Sequence, residues 1–138
     1  MNSIELLRDN LVRSRERVLS RVEEMRDHAI VFPTLNGGGH TLWVLGHLAY
    51  IEALIRHRFV LGEANPLAGW EGVFDGADVS GDPLLYPPFD DVLARCRAER
   101  ESTLALLAGL SEDDLDRTSG FVPPGFESTF GTWRSCLQ

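Results

Sequence analysis

Between Thr41 and Ile51 the chain reads Thr41-Leu42-Trp43-Val44-Leu45-Gly46-His47-Leu48-Ala49-Tyr50-Ile51, with no Asp, Glu, Lys or Arg. Wound with 3.6 residues per turn, this segment is apolar on almost its whole circumference. His40, Trp43, Val44, His47, Ile51 and Leu54 share one face, and Leu42, Leu45, Ala49 and Ala53 lie on the reverse. Only a narrow stripe around Glu52 and Arg56 is left for solvent, and these two stand i, i+4 in the favourable order. A helix of this kind needs cover on all sides, so it is the centre of a bundle or buried between subunits.

The neighbouring segments supply the cover. From Asn2, an N-cap with Glu5 at the third helical position, apolar residues recur at Ile4, Leu7, Leu11, Val18, Val22, Met25 and Ala29, which predicts one long amphipathic helix. Pro33, Asn36 and Gly37-Gly38-Gly39 end it. The second helix starts near His40 or Thr41 and runs to about Leu61, with Gly62 at its C-terminal cap. The stretch 62–88 then holds five glycines and four prolines, a connection of the length that is more often functional or a crossover than idle. A third helix is predicted from about Phe89 to Gly109, and Ser111 caps a short turn through Leu115. Ser128 or Thr129 starts a fourth, about nine residues from the last one. The expected fold is all-α, an up-down four-helix bundle with a short last helix, in a single domain over residues 1–138.

Composition narrows the function classes. A net charge of −8 repels polyphosphate and anionic lipid, so neither nucleic acid nor a membrane surface is an expected partner. All 13 cationic residues are arginine, which removes Schiff-base lysines and phosphate-binding lysines from consideration. The longest stretch without Asp, Glu, Lys or Arg, His28 to Ile51, is broken by Pro33, Asn36 and three glycines and cannot span a bilayer. Cys96 and Cys136 are too few for a disulfide framework, and a cytoplasmic location with reduced thiols is expected.

Several residues admit two readings. His47 is either a core imidazole donating to a backbone carbonyl or a metal ligand. His40 lies two turns away on the same face, a rise of roughly 10.5 Å, too far to share one ion with it. His57 points off that face toward solvent, and His28 sits at the frayed end of the first helix. Gly37-Gly38-Gly39 either presents amides to an anion or is a flexible connection. Arg100, near the apolar face of the third helix, either clamps a substrate carboxylate or lays its stem along the core with its head in water. Cys96, one turn earlier, reads as a buried structural thiol. Trp43, Trp70 and Trp133 read as core and interface aromatics.

Taken in order, Trp43-x-x-Gly46-His47-Leu48-Ala49, the Gly/Pro-rich connection, Leu110-Ser111-Glu112-Asp113-Asp114-Leu115 and Phe130-Gly131-Thr132 resemble the DinB/YfiT-like superfamily over essentially the whole chain. The resemblance implies a four-helix bundle, usually a homodimer, holding a divalent metal, zinc or nickel, through three histidines. It also implies a metal-dependent hydrolase or S-transferase that brings a low-molecular-weight thiol, bacillithiol or mycothiol in type, to a small-molecule electrophile. Some members isomerise maleylpyruvate with mycothiol. One family ligand maps onto this chain, His47. The other two form an H-x-x-x-H pair on the fourth helix with no counterpart before Gln138, so the C-terminal part of that helix and a complete metal site are expected to be missing. The competing reading is a metal-free dimeric scaffold or binding module that keeps the bundle without the chemistry.

Overall fold

A computed structural model describes residues 2–76 and 78–138. Among the described residues the regular structure is helical, with six α-helices: α1 Ser3–Glu24, α2 Thr41–Ala53, α3 Glu71–Phe74, α4 Phe89–Ala108, α5 Glu127–Phe130 and α6 Trp133–Leu137. Among the described residues no helix is long and apolar enough to cross a membrane.

Local chemistry sets the boundaries much as the sequence predicts. Asn2 accepts the Glu5 amide at 2.9 Å and Glu5 returns the favour to the Asn2 amide at 3.1 Å, so two of the orphan N–H groups of α1 are satisfied. His40 caps α2 with its ring: Nδ1 accepts the Trp43 amide at 3.1 Å. After Ala53 the helix widens into a π-helical stretch, Leu54–Val60, and ends at Gly62, whose φ of +69° is left-handed. A side chain at Gly62 would also press on the backbone of Gly120, because residues 120–121 hydrogen-bond there, Gly120 N–H to Val60 O at 3.2 Å.

The core lies around α2, as its all-round hydrophobicity requires. Leu42, Leu45, Ala49, Tyr50 and Ala53 pack with Val92, Leu93 and Cys96 of α4 and Val22 of α1. The connection from 62 to 88 is folded onto the same core: it contributes Leu67, Phe74 and Tyr86, and Tyr86 Oη donates to Ser80 O at 2.8 Å. Its helix α3 lies against α2.

Two expectations change. The last helix is not continuous from Ser128 or Thr129: α5 stops at Phe130, and Thr132, with extended backbone, starts α6 as its own N-cap by accepting the Ser135 amide at 3.2 Å. The reason is local competition, since a Thr two residues after a short helix offers a cap that a continuing helix would forgo. The second change concerns Glu52 and Arg56, which are not a solvated i, i+4 pair. Arg56 is buried, at 6% exposure, and both side chains reach across to other helices.

Candidate functional site

His47 is positioned by the residues on either side of it in α2. Gly46 has no side chain, and the ring of Phe74 occupies that space: a Cβ there would stand closer than 3.0 Å to three ring carbons. Phe74 is fully buried and held between Trp70 and Tyr86, with ring centroids at 5.0 and 5.7 Å. This contact brings the end of α3 onto α2, so that the Phe74 carbonyl meets the next residue, and His47 Nδ1 donates to it at 2.7 Å. The ring is fixed a second time by stacking on Trp43 one turn earlier, at 4.7 Å and 9° between planes. Asp75 Oδ1 stands 3.9 Å from the same nitrogen.

The consequence is a defined tautomer. In the neutral ring, with Nδ1–H held by a carbonyl, Nε2 carries the lone pair, and it makes no hydrogen bond among the described residues. The side chain is 32% exposed, so that lone pair is reachable. Metal-bound histidines are arranged in this way, the non-ligating N–H given to a carbonyl or carboxylate.

The other histidines are committed elsewhere. His40 is buried with both nitrogens used, Nδ1 on the Trp43 amide and Nε2 donating to Ser80 O at 2.8 Å. His57 is half-buried rather than solvated, its Nε2 accepting from Arg56 at 3.1 Å and its Nδ1 facing Glu63 at 3.5 Å. His28 is exposed in a 3-10 turn, Arg26–His28, just past α1. Among the described residues no three His, Cys, Asp or Glu side chains come together as a metal cluster. A catalytic zinc takes three protein ligands, so the residues described do not by themselves fit the metal that the sequence resemblance implies, and one imidazole is preset.

Gly37 and Gly38 hold φ of +95° and +103° in a turn closed by Gly37 N–H on Thr34 O at 3.1 Å. That is the reading as a connection, with the left-handed backbone requiring glycine. Arg100 does not snorkel: Nε donates to Glu52 at 2.5 Å and Nη1 to the Leu11 carbonyl at 2.6 Å.

Sequence reasoning missed the cluster to which Arg100 belongs. Glu52 sits between two guanidiniums, Arg100 and Arg15, the latter at 2.9 Å. Arg56 donates to Glu99 Oε2 at 2.5 Å, to the Glu99 carbonyl at 2.8 Å and to Thr103 at 3.0 Å, and Glu99 also takes Arg95 at 3.1 Å. A signal was present. Arg15 falls between Leu11 and Val18 on the apolar stripe of α1, and Glu99 between Cys96 and Thr103 on that of α4. A charge at a core position of one helix calls for an opposite charge at a core position of another.

Cys96 is completely buried and touches Arg15 Nη1. Burial pushes its thiol up, while Arg15 works the other way. Ellman's reagent is therefore expected to leave Cys96 unmodified in the native protein at neutral pH and to modify it once urea unfolds the chain. A native Cys96 that reacts as fast as the unfolded one would contradict this burial.

The family model of the DinB superfamily matches residues 10–134. The chain belongs to the DinB superfamily. No curated protein and no solved structure gives a significant match. The match covers α1 from residue 10, α2, the connection packed on it, α4, α5 and the start of α6, so the helical fold and the family assignment agree over the same residues. Within this DinB-superfamily fold His47 lies in the middle of α2, and the 62–88 connection, through Phe74, fixes its ring.

Proposed function

We propose that this DinB-superfamily protein acts as a metal-dependent S-transferase, bringing a low-molecular-weight thiol to a small electrophile, with His47 Nε2 as one ligand of a zinc or nickel ion. The observation that carries the reading is the bond from His47 Nδ1 to the Phe74 carbonyl, which in the neutral ring puts the lone pair on Nε2 of a side chain that is 32% exposed. Such an ion, if bound, would supply Lewis-acid activation of a thiol or water. The chain's own part is to hold the imidazole in one tautomer and one orientation, through Phe74 and Trp43. The remaining ligands must come from beyond this arrangement, from a second copy or from further polypeptide.

A homodimer has a physical basis in the groove between α1 and α2, lined by Val18, Val22, Met25 and Val44, of which Met25 and Val44 are exposed. The second reading is a metal-free scaffold, favoured by the same Nδ1 bond, which already satisfies a half-buried imidazole without any ion.

Metal analysis separates the two. Dialysed against trace zinc or nickel, the 138-residue chain is expected to retain well below one ion per chain. If the natural polypeptide continues past Gln138 with two further histidines, that longer form should bind stoichiometrically, lose most of the metal on His47→Ala, and only then transfer a thiol. Stoichiometric, His47-dependent metal in the short chain would place the missing ligands across a dimer interface. Metal that is indifferent to His47→Ala, or absent from every form, would overturn the proposal.

A further inference from the structure

A cavity of about 190 Å³ opens between α1, α2, α4 and the chain's last residues, Cys136 and Leu137 of α6 and Gln138, about a turn and a half beyond His47 along α2. Its walls differ in chemistry. One side is aliphatic, from Leu48, Ile51 and Ile55, and the other is formed by Arg15, Arg100 and the Glu52 carboxylate between them.

The charges there do not balance. Arg15 and Arg100 share the single carboxylate of Glu52, and Arg56, the third guanidinium on the cavity, is matched by Glu99. Among these side chains one positive charge is left over beside the cavity, in a protein whose net charge is −8. Burial holds the Arg100 guanidinium below its ordinary range, Glu52 opposes this, and Arg15 adds to it. The donors are also not used up. Arg100 Nη2 makes no hydrogen bond among the described residues, and Arg15 Nη1 meets the Cys96 sulfur, a weak acceptor. Arg100 is 15% exposed and so can be reached from the cavity. A guanidinium with a spare N–H in a site of reduced dielectric is the ordinary recognition element for a carboxylate.

We propose that this cavity binds a small monocarboxylate, its carboxylate on the unpartnered Nη2 of Arg100, beside Arg15, and its aliphatic chain against Leu48, Ile51 and Ile55. The volume is below that of pockets for drug-sized ligands, which limits the chain to a few carbons. The aliphatic wall selects an organic acid over an inorganic anion, whose hydration it would strip without return. The inference stands on the arginine cluster and needs no metal.

The test uses the metal-free 138-residue chain and butyrate, with butyramide as its neutral isostere and inorganic phosphate as the anion without a tail. Binding is read from nitrogen–proton correlation spectra of the arginine side chains. Butyrate should shift the Arg100 and Arg15 signals saturably, and butyramide and phosphate should bind about tenfold more weakly or worse, the loss expected for a charge-assisted hydrogen bond or for the aliphatic contact. Arg100→Gln should weaken butyrate by a similar factor. Should that variant fold poorly by circular dichroism, Ile55→Trp fills the cavity, leaves every charge in place and should abolish the butyrate shift. Equal binding of butyrate and butyramide, equal binding of phosphate, a butyrate response untouched by either variant, or no saturable response at all would each overturn the proposal.

Discussion

Replacing Arg56 by alanine is expected to lower the unfolding free energy by about 3 kcal/mol, the lower end of the cost of breaking a buried ion pair from one side. Glu99 is 4% exposed, and its carboxylate meets Arg56 Nη2 at 2.5 Å. Alanine leaves that carboxylate buried beside Arg95, which is 42% exposed and a weaker partner, and it removes a donor from the Glu99 carbonyl and the Thr103 hydroxyl, which keep their own 3.1 Å bond. Against a typical total of about 5–15 kcal/mol, this is a large share. Removing both charges, Arg56→Met with Glu99→Leu, is expected to recover most of the loss, because the desolvation cost then disappears with the attraction. Urea unfolding of the two variants checks this. An Arg56→Ala chain within about 1 kcal/mol of the parent would mean that the pair is solvated, as exposed pairs are.

Gly46→Ala should be the other severe change, and here two effects of opposite sign compete. Helix propensity alone favours alanine in the middle of α2 by about 1 kcal/mol. The new methyl, however, would lie closer than 3.0 Å to the Phe74 ring, which Trp70 and Tyr86 prevent from swinging aside. Overpacking of that kind costs about 1–3 kcal/mol or more, and pushing Phe74 away also draws its carbonyl off His47 Nδ1. A net loss of about 2 kcal/mol is expected. It should be accompanied by loss of the single His47 tautomer in nitrogen–proton spectra of the imidazole. Phe74→Leu in the Gly46→Ala background should restore part of the stability without restoring the tautomer. A Gly46→Ala protein more stable than its parent would show that propensity governs this position and that Phe74 is not wedged there.

These two positions differ in how far they could be read in advance. The apolar circumference of α2 is written in residues three and four apart, and the period that places Leu42, Leu45 and Ala49 against α4 needs no knowledge of α4. Caps are local in the same way: Asn2 with Glu5, and Gly62 at the end of the second helix, act within a few residues. The role of His47 was half legible, since its place on the helix follows from the period while its tautomer depends on a carbonyl 27 residues away.

The family resemblance and the all-helical bundle followed from the sequence, because motif order and hydrophobic period survive without coordinates. The fate of Glu52 and Arg56 did not. Spaced i, i+4, they satisfy the rule for a solvated helix pair, yet their partners, Arg15, Arg100 and Glu99, lie 37, 48 and 43 residues away. The sequence alone determined which residues could sit on one side of a helix. Only the tertiary structure decided which charges meet, because the energy of a charge depends on the distance and desolvation of its partner, and neither is a local property of the chain.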